Sequence, residues 1–140
     1  MKIRPSQIYY IYNNNEYALG DYANGETPNT RYHFISMDER SYPSEILLMR
    51  EISFAYNAII KIIANECEVI VKEFVGENVV VRMTPGSSCI ERLNAYSVDG
   101  GSWYEAIVPK KVISSIWEEH YPVDGYVYPP DLNFIEPIEI

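Results

Sequence analysis

The sequence predicts an α+β fold: two antiparallel β-meanders packed around one long central helix, with a short second helix and an extended C-terminal segment. Three observations carry that expectation. Short runs of aromatic and β-branched residues, separated by Asn- and Gly-containing turns, occupy both halves of the chain. Between them, polar residues recur at spacings of three and four from Arg50 to Asn65 inside an apolar stretch. The resulting order, strands then helix then strands, is not the strand–helix alternation of a doubly wound sheet. At 140 residues and 47% hydrophobic, the chain can bury a core without disulfides or metals, as a single domain over residues 1–140.

The first meander opens with IYYIY, residues 8–12, where Tyr9 and Tyr10 point to opposite faces and at least one enters the core. Asn13, Asn14 and Asn15 tolerate left-handed conformations and close a turn. EYALGDY returns as a second strand with a bulge at Gly20, Asn24-Gly25 is a strong turn signal, and RYHFIS, residues 31–36, follows as the third strand. Ser41-Tyr42-Pro43-Ser44-Glu45 then reads as a helix start, with a Ser cap, Pro in the first turn and an acid at the positive end of the dipole. From there to about Asn65, residues Arg50, Ser53, Asn57, Lys61 and Asn65 form one polar stripe. Leu48, Ile52, Ala55, Ile59 and Ile62 cover the other faces, so this helix is expected to be central.

CEVIVKEFV and VVVRMT, joined through Gly76-Glu77-Asn78, predict a second hairpin. CIERLNAYSV fits a strand or a short helix, and pairing with WYEAIV across the turn at 99–102 favours the strand. Pro109 opens a short amphipathic helix to about His120, with Val112, Ile113, Ile116 and Trp117 inward.

The formal net charge is −9, and it is uneven. Residues 101–140 hold two basic and seven acidic side chains, and no Lys or Arg follows Lys111. Such a field repels phosphates and anionic lipids and attracts cationic partners, which argues against direct nucleic-acid or membrane binding. The N-terminus lacks the apolar core of a signal peptide, and the longest apolar region is interrupted by Arg50, Glu51, Asn57 and Lys61. Cys67 and Cys89 are too few for a disulfide framework and are expected as free thiols; a cytoplasmic setting follows.

The sequence argues against most enzyme chemistries. His33 sits in an apolar strand as a structural imidazole, and neither it nor His120 has a local nucleophile signature. Cys67, Cys89, His33 and His120 lack zinc-ligand spacing, and Gly100-Gly101 is a hairpin turn, not a phosphate loop. No cofactor and no metal are expected. Asp38-Glu39 complements the helix dipole, whereas Glu118-Glu119 closes the short helix at the unfavourable end.

Thirteen tyrosines exceed what a core of this size needs, and Tyr is enriched at protein–protein contacts. The expected partner-binding surface is Trp117, Glu118, Glu119, Tyr121, Asp124, Tyr126, Tyr128 and Asp131, held outward by a tail pinned through its apolar side. Prolines 129, 130 and 137 confine that tail to an edge or a draped path. The function expected from these features is an acidic protein-binding inhibitor, an immunity protein that neutralises a basic, nuclease-type bacterial toxin by occluding its active site. The same physics fits a phage-encoded inhibitor of a host nucleic-acid-binding defence system. A small-ligand-binding α+β domain is the alternative from another class.

Overall fold

The computed structural model describes residues 4–22, 30–130, 132 and 134–138. Eleven strands run in chain order: β1 (Gln7–Tyr12), β2 (Asn15–Tyr22), β3 (Arg31–Ser36), β4 (Glu45–Leu48), β5 (Phe54–Ala64), β6 (Cys67–Val75), β7 (Asn78–Met83), β8 (Tyr96–Val98), β9 (Trp103–Pro109), β10 (Ile113–Pro122) and β11 (Ile135–Pro137). The one α-helical turn among the described residues, α1, covers Cys89–Arg92. The chain forms two compact units, one of residues 7–58 and 120–133, the other of residues 1–6, 59–119 and 134–140. No helix among the described residues is long and apolar enough to cross a membrane.

The first unit places strands in the order β4-β3-β2-β1-β5, all antiparallel. The β1–β2 turn falls on Asn13 and Asn14, with φ of 51° and 63°, a conformation Asn accepts at low cost. The Gly20 bulge is present, since the β2–β3 register shifts between Leu19 and Tyr22. A Cβ at Gly20 would stand 3.1 Å from the His33 carbonyl oxygen, so a side chain there would crowd the backbone of β3. Both Tyr9 and Tyr10 are buried, on opposite faces of β1. Tyr10 joins Tyr17, Phe34, Leu47, Ile52 and Ala55, while Tyr9 joins Ile11, Tyr56, Ala58 and Tyr128. The Asn24-Gly25 turn lies outside the described residues.

The second unit runs β5-β6-β7-β9-β8, with β10 pairing β5 and β11. Its β6–β7 hairpin turns at Gly76, φ 58°, as expected. Val69, Val71, Val79, Val81, Ala106 and Val108 alternate along their strands to fill one core with Ile60, Ile62 and Ile116. The chain end is pinned here: Ile138 is buried in that core and its N–H donates to the Ile116 carbonyl at 3.0 Å. Pro137 lies in β11, which among the described residues pairs only with β10, consistent with the edge position that proline tolerates.

The expected α+β fold with a long central helix is not found: strand takes 57% of the structure and helix 10%. Residues 45–64 form β4, a single 3₁₀ turn at Met49–Glu51, and β5. The polar spacing misleads here because four is both about one helical turn and two strand repeats. Asn57 and Lys61 therefore share a strand face as well as they would share a helix face. β5 buries Ala58, Ile60, Ile62 and Ala64, every second residue, and its other face is half-buried, so the run reads as almost continuously apolar. Its branched and aromatic residues, Phe54, Tyr56 and four Ile, favour the extended chain. The expected helix start is instead a loop over residues 41–44 that leads into β4: Asp38 holds Ser41 Oγ at 2.8 Å and the Arg40 N–H at 3.2 Å, and Ser44 Oγ accepts the Ser36 N–H.

The short second helix is absent as well. A 3₁₀ turn at Lys110–Val112 leads into β10, where Ile116, Glu118 and His120 are buried at a spacing of two. CIERLNAYSV divides, its first part forming α1 and its last part β8, which pairs β9 as expected.

Candidate functional site

The eight residues expected at the partner surface fall into different settings. In the second unit, Glu118 does not face outward: it is 0% exposed and receives both Arg4 Nη2 at 2.6 Å and Arg4 Nε at 2.9 Å. A charge so enclosed needs a paired, hydrogen-bonded cation, and the bidentate guanidinium supplies it. Glu119 is half-buried, bridged to Lys61 Nζ at 3.1 Å and accepting Trp117 Nε1–H at 3.0 Å. Trp117, Glu118 and Glu119 are thus tied into the unit's own structure.

In the first unit, Tyr128 is buried and its hydroxyl lies 2.8 Å from His120 Nδ1. His120, 7% exposed, stacks on Tyr56 with ring centroids 4.2 Å apart, and the Tyr56 hydroxyl donates to Glu16 Oε2 at 3.1 Å. The buried structural imidazole is therefore His120; His33, expected in that role, is exposed. Tyr121 and Asp124 are exposed, and Tyr126 is half-buried. Asp131 lies outside the described residues.

Asp124 and Tyr126 come together at an open groove of about 770 Å³ within the first unit. The turn that carries them is closed by the Tyr126 N–H donating to the Val123 carbonyl at 3.1 Å, with Gly125 at φ 90° in the third position. The Tyr126 hydroxyl then donates to the Met49 carbonyl at 2.9 Å, which fixes the turn against the chain between β4 and β5. Burial, and after it the neighbouring Tyr10, lift the Tyr126 phenol above its ordinary range, so it remains a neutral donor. Tyr10, Met49 and Ile52 supply apolar walls, while Val127, 85% exposed, stands at the opening. Arg50 also lines the groove, so its rim carries both signs of charge.

The surrounding unit is strongly acidic. It holds three basic residues against nine acidic ones, a net −6 of the chain's −9. The second unit, with eight basic and eleven acidic residues, carries the remaining −3 and pairs much of its positive charge with its own carboxylates. There Arg82 Nε lies 2.7 Å from Glu105 Oε2 and Lys72 Nζ 3.1 Å from the same oxygen. Arg82 beside Glu105 holds that carboxyl below the ordinary carboxylate value against the opposing effect of burial, with Lys72 assisting.

The sequence does not show the groove's walls, because Met49 and Ile52 fall inside the stretch whose spacing predicts a helix. The signal available was Glu51: its carboxylate accepts the Leu48 N–H at 2.7 Å, the short-range bond of a tight turn. Among the described residues, no three or more His, Cys, Asp or Glu side chains gather as metal ligands would. The fold and groove define a mainly antiparallel β-protein with an acidic, aromatic-lined surface cleft. No family model, curated protein or solved structure matches the chain.

Proposed function

We propose that this protein is an acidic binding inhibitor that captures a basic partner, of the kind an immunity protein forms with a nuclease-type toxin. The observation that carries the reading is the coincidence, in one unit, of a net −6 charge and a groove walled by Tyr10 and Tyr126 with Asp124 at its rim. A nuclease that grips phosphate presents Lys and Arg, and an anionic unit draws such a surface in at steered rates. The aromatic walls provide the desolvated centre on which a long basic side chain lays its methylenes. Arg50 sets the register by excluding a partner cation from its own side of the rim. The groove's open form suits a protruding protein loop. The alternative of a small-ligand domain has in its favour the groove's volume, which matches that of small-molecule sites, but such sites are usually enclosed.

The test is to identify the protein captured by the full chain from its host, then to measure the complex. The reading expects a basic partner whose nucleic-acid-cleaving activity is lost on binding, and an association rate that falls steeply between low and physiological salt. An association indifferent to salt, or a complex that leaves the partner's activity intact, overturns it.

A further inference from the structure

Among the described residues β4 pairs only with β3, so one side of it is an edge of the first unit's sheet. Three bonds fix which of its main-chain groups face outward. Along β3, successive residues turn their N–H groups to opposite neighbours. The Ser36 N–H points to the β4 side, donating to Ser44 Oγ at 2.9 Å, whereas the Met37 N–H donates to the Glu16 carbonyl of β2 at 3.2 Å. Tyr32 and Phe34, in step with Ser36, therefore bond to their register partners Leu47 and Glu45, and Ile46 and Leu48 turn outward. Leu48 agrees, since its N–H goes to the Glu51 carboxylate at 2.7 Å and not to β3. Ile46 stands at the edge with its N–H and carbonyl directed away from the sheet.

Beside that edge lies a second hollow of about 600 Å³, lined by Gly20, His33, Ile35, Ser44, Glu45 and Ile46. It shares no lining residue with the Asp124 groove. Ile35 and Ile46 are 46% and 50% exposed and lie on one face with His33, the register partner of Ile46. Gly20 keeps the hollow open, because a Cβ there would stand 3.1 Å from Ile35 Cδ1. Strand edges are commonly blunted by charge, and here the charge is Glu45, in a unit of net −6. Two copies of this chain would bring like charges together at the edge, whereas a cationic strand meets an opposite one.

We propose that the outer edge of β4 is a docking site for an extended segment of a partner protein in which Lys or Arg alternates with a branched apolar residue. The segment lies beside β4 as an added strand and exchanges main-chain hydrogen bonds with Ile46. Its residue opposite Ile46 shares that side chain's face and covers the hollow, packing on Ile35 and Ile46. The neighbouring residue, opposite Glu45, sets its cation against that carboxylate. Main-chain bonds supply the affinity and the alternation supplies the preference. This inference stands apart from the inhibitor reading, since the edge and the groove are different surfaces and either can act without the other.

The experiment titrates the full chain with the synthetic strand acetyl-Lys-Val-Lys-Val-Lys-Val-amide and follows backbone amides by NMR. The expected result is saturable binding, with shifts centred on β3 and β4 and exchange of the Ile46 amide slowed by about tenfold. A peptide with Glu in place of each Lys should not bind, and one with N-methylated Val residues, which cannot donate from those main-chain positions, should bind about tenfold more weakly. Ile46→Lys, at an exposed position, should weaken binding by about tenfold, and Glu45→Gln severalfold at low salt only. Absence of binding, equal binding by the N-methylated peptide, or shifts centred on Tyr126 overturns the proposal. Protection of the Ile46 amide that rises with protein concentration in the peptide-free chain also overturns it, by giving the edge to a second copy.

Discussion

Arg4 meets Glu118 through two hydrogen bonds, of 2.6 and 2.9 Å, across 114 residues of sequence. The carboxylate is wholly enclosed and the guanidinium side chain is 20% exposed, so the pair fastens the N-terminal segment to β10 within one unit. A buried acid of this kind depends on its partner more than the partner depends on it. Arg4→Ala should cost about 3 kcal/mol in urea unfolding, because it removes the bidentate guanidinium from an enclosed carboxylate. The double variant Arg4→Met with Glu118→Leu should recover much of that loss, since it removes the desolvated charge with the pair.

Acid should weaken the second unit through Glu105. Its folded-state value is depressed, by Arg82 above all, below the ordinary 4.5. A depressed carboxylate contributes stability that is fully present above the unfolded value and is lost as pH falls through the folded one. Stability should therefore hold down to about pH 5 and decline below about 4.5, and Glu105→Gln should flatten that decline in urea melts across pH.

The buried His120 in the first unit depends on the Tyr128 hydroxyl for a 2.8 Å hydrogen bond. Tyr128→Phe keeps the ring packing against Phe54 and Tyr56 and removes the hydroxyl that makes that bond. A loss of about 1–2 kcal/mol is expected, read as an earlier urea midpoint with an unchanged slope.

At the groove, charge and shape should separate in kinetics. Asp124→Asn should lower the association rate with the captured basic partner by roughly threefold at low salt and have little effect at high salt. Tyr126→Phe frees the turn from the Met49 carbonyl, a bond of 2.9 Å, and should chiefly speed dissociation. Surface plasmon resonance across a salt series distinguishes the two.

The strands that could be read from the sequence share a local cause. β1, β2 and the β6–β7 hairpin are bounded by residues whose own backbone preferences make the turn, such as Asn13, Asn14 and Gly76 at positive φ. The candidate site was legible in part: Asp124 and Tyr126 line the groove, but Glu118 and Tyr128 are buried, and Trp117 and Glu119 serve a bond within their own unit. An acid next to an aromatic looks the same in sequence whether solvent or an arginine faces it.

By itself, the sequence determined the anionic balance, the turns at Asn13-Asn14 and Gly76, and the alternation that fills the Val-rich core. Tertiary structure decided the rest, for two physical reasons. A polar spacing of four fits a helix and a strand equally, so only pairing with β1 and β6 made β5 a strand. An acid facing inward is tolerable only when a cation closes over it, and for Glu118 that cation is Arg4, at the opposite end of the chain.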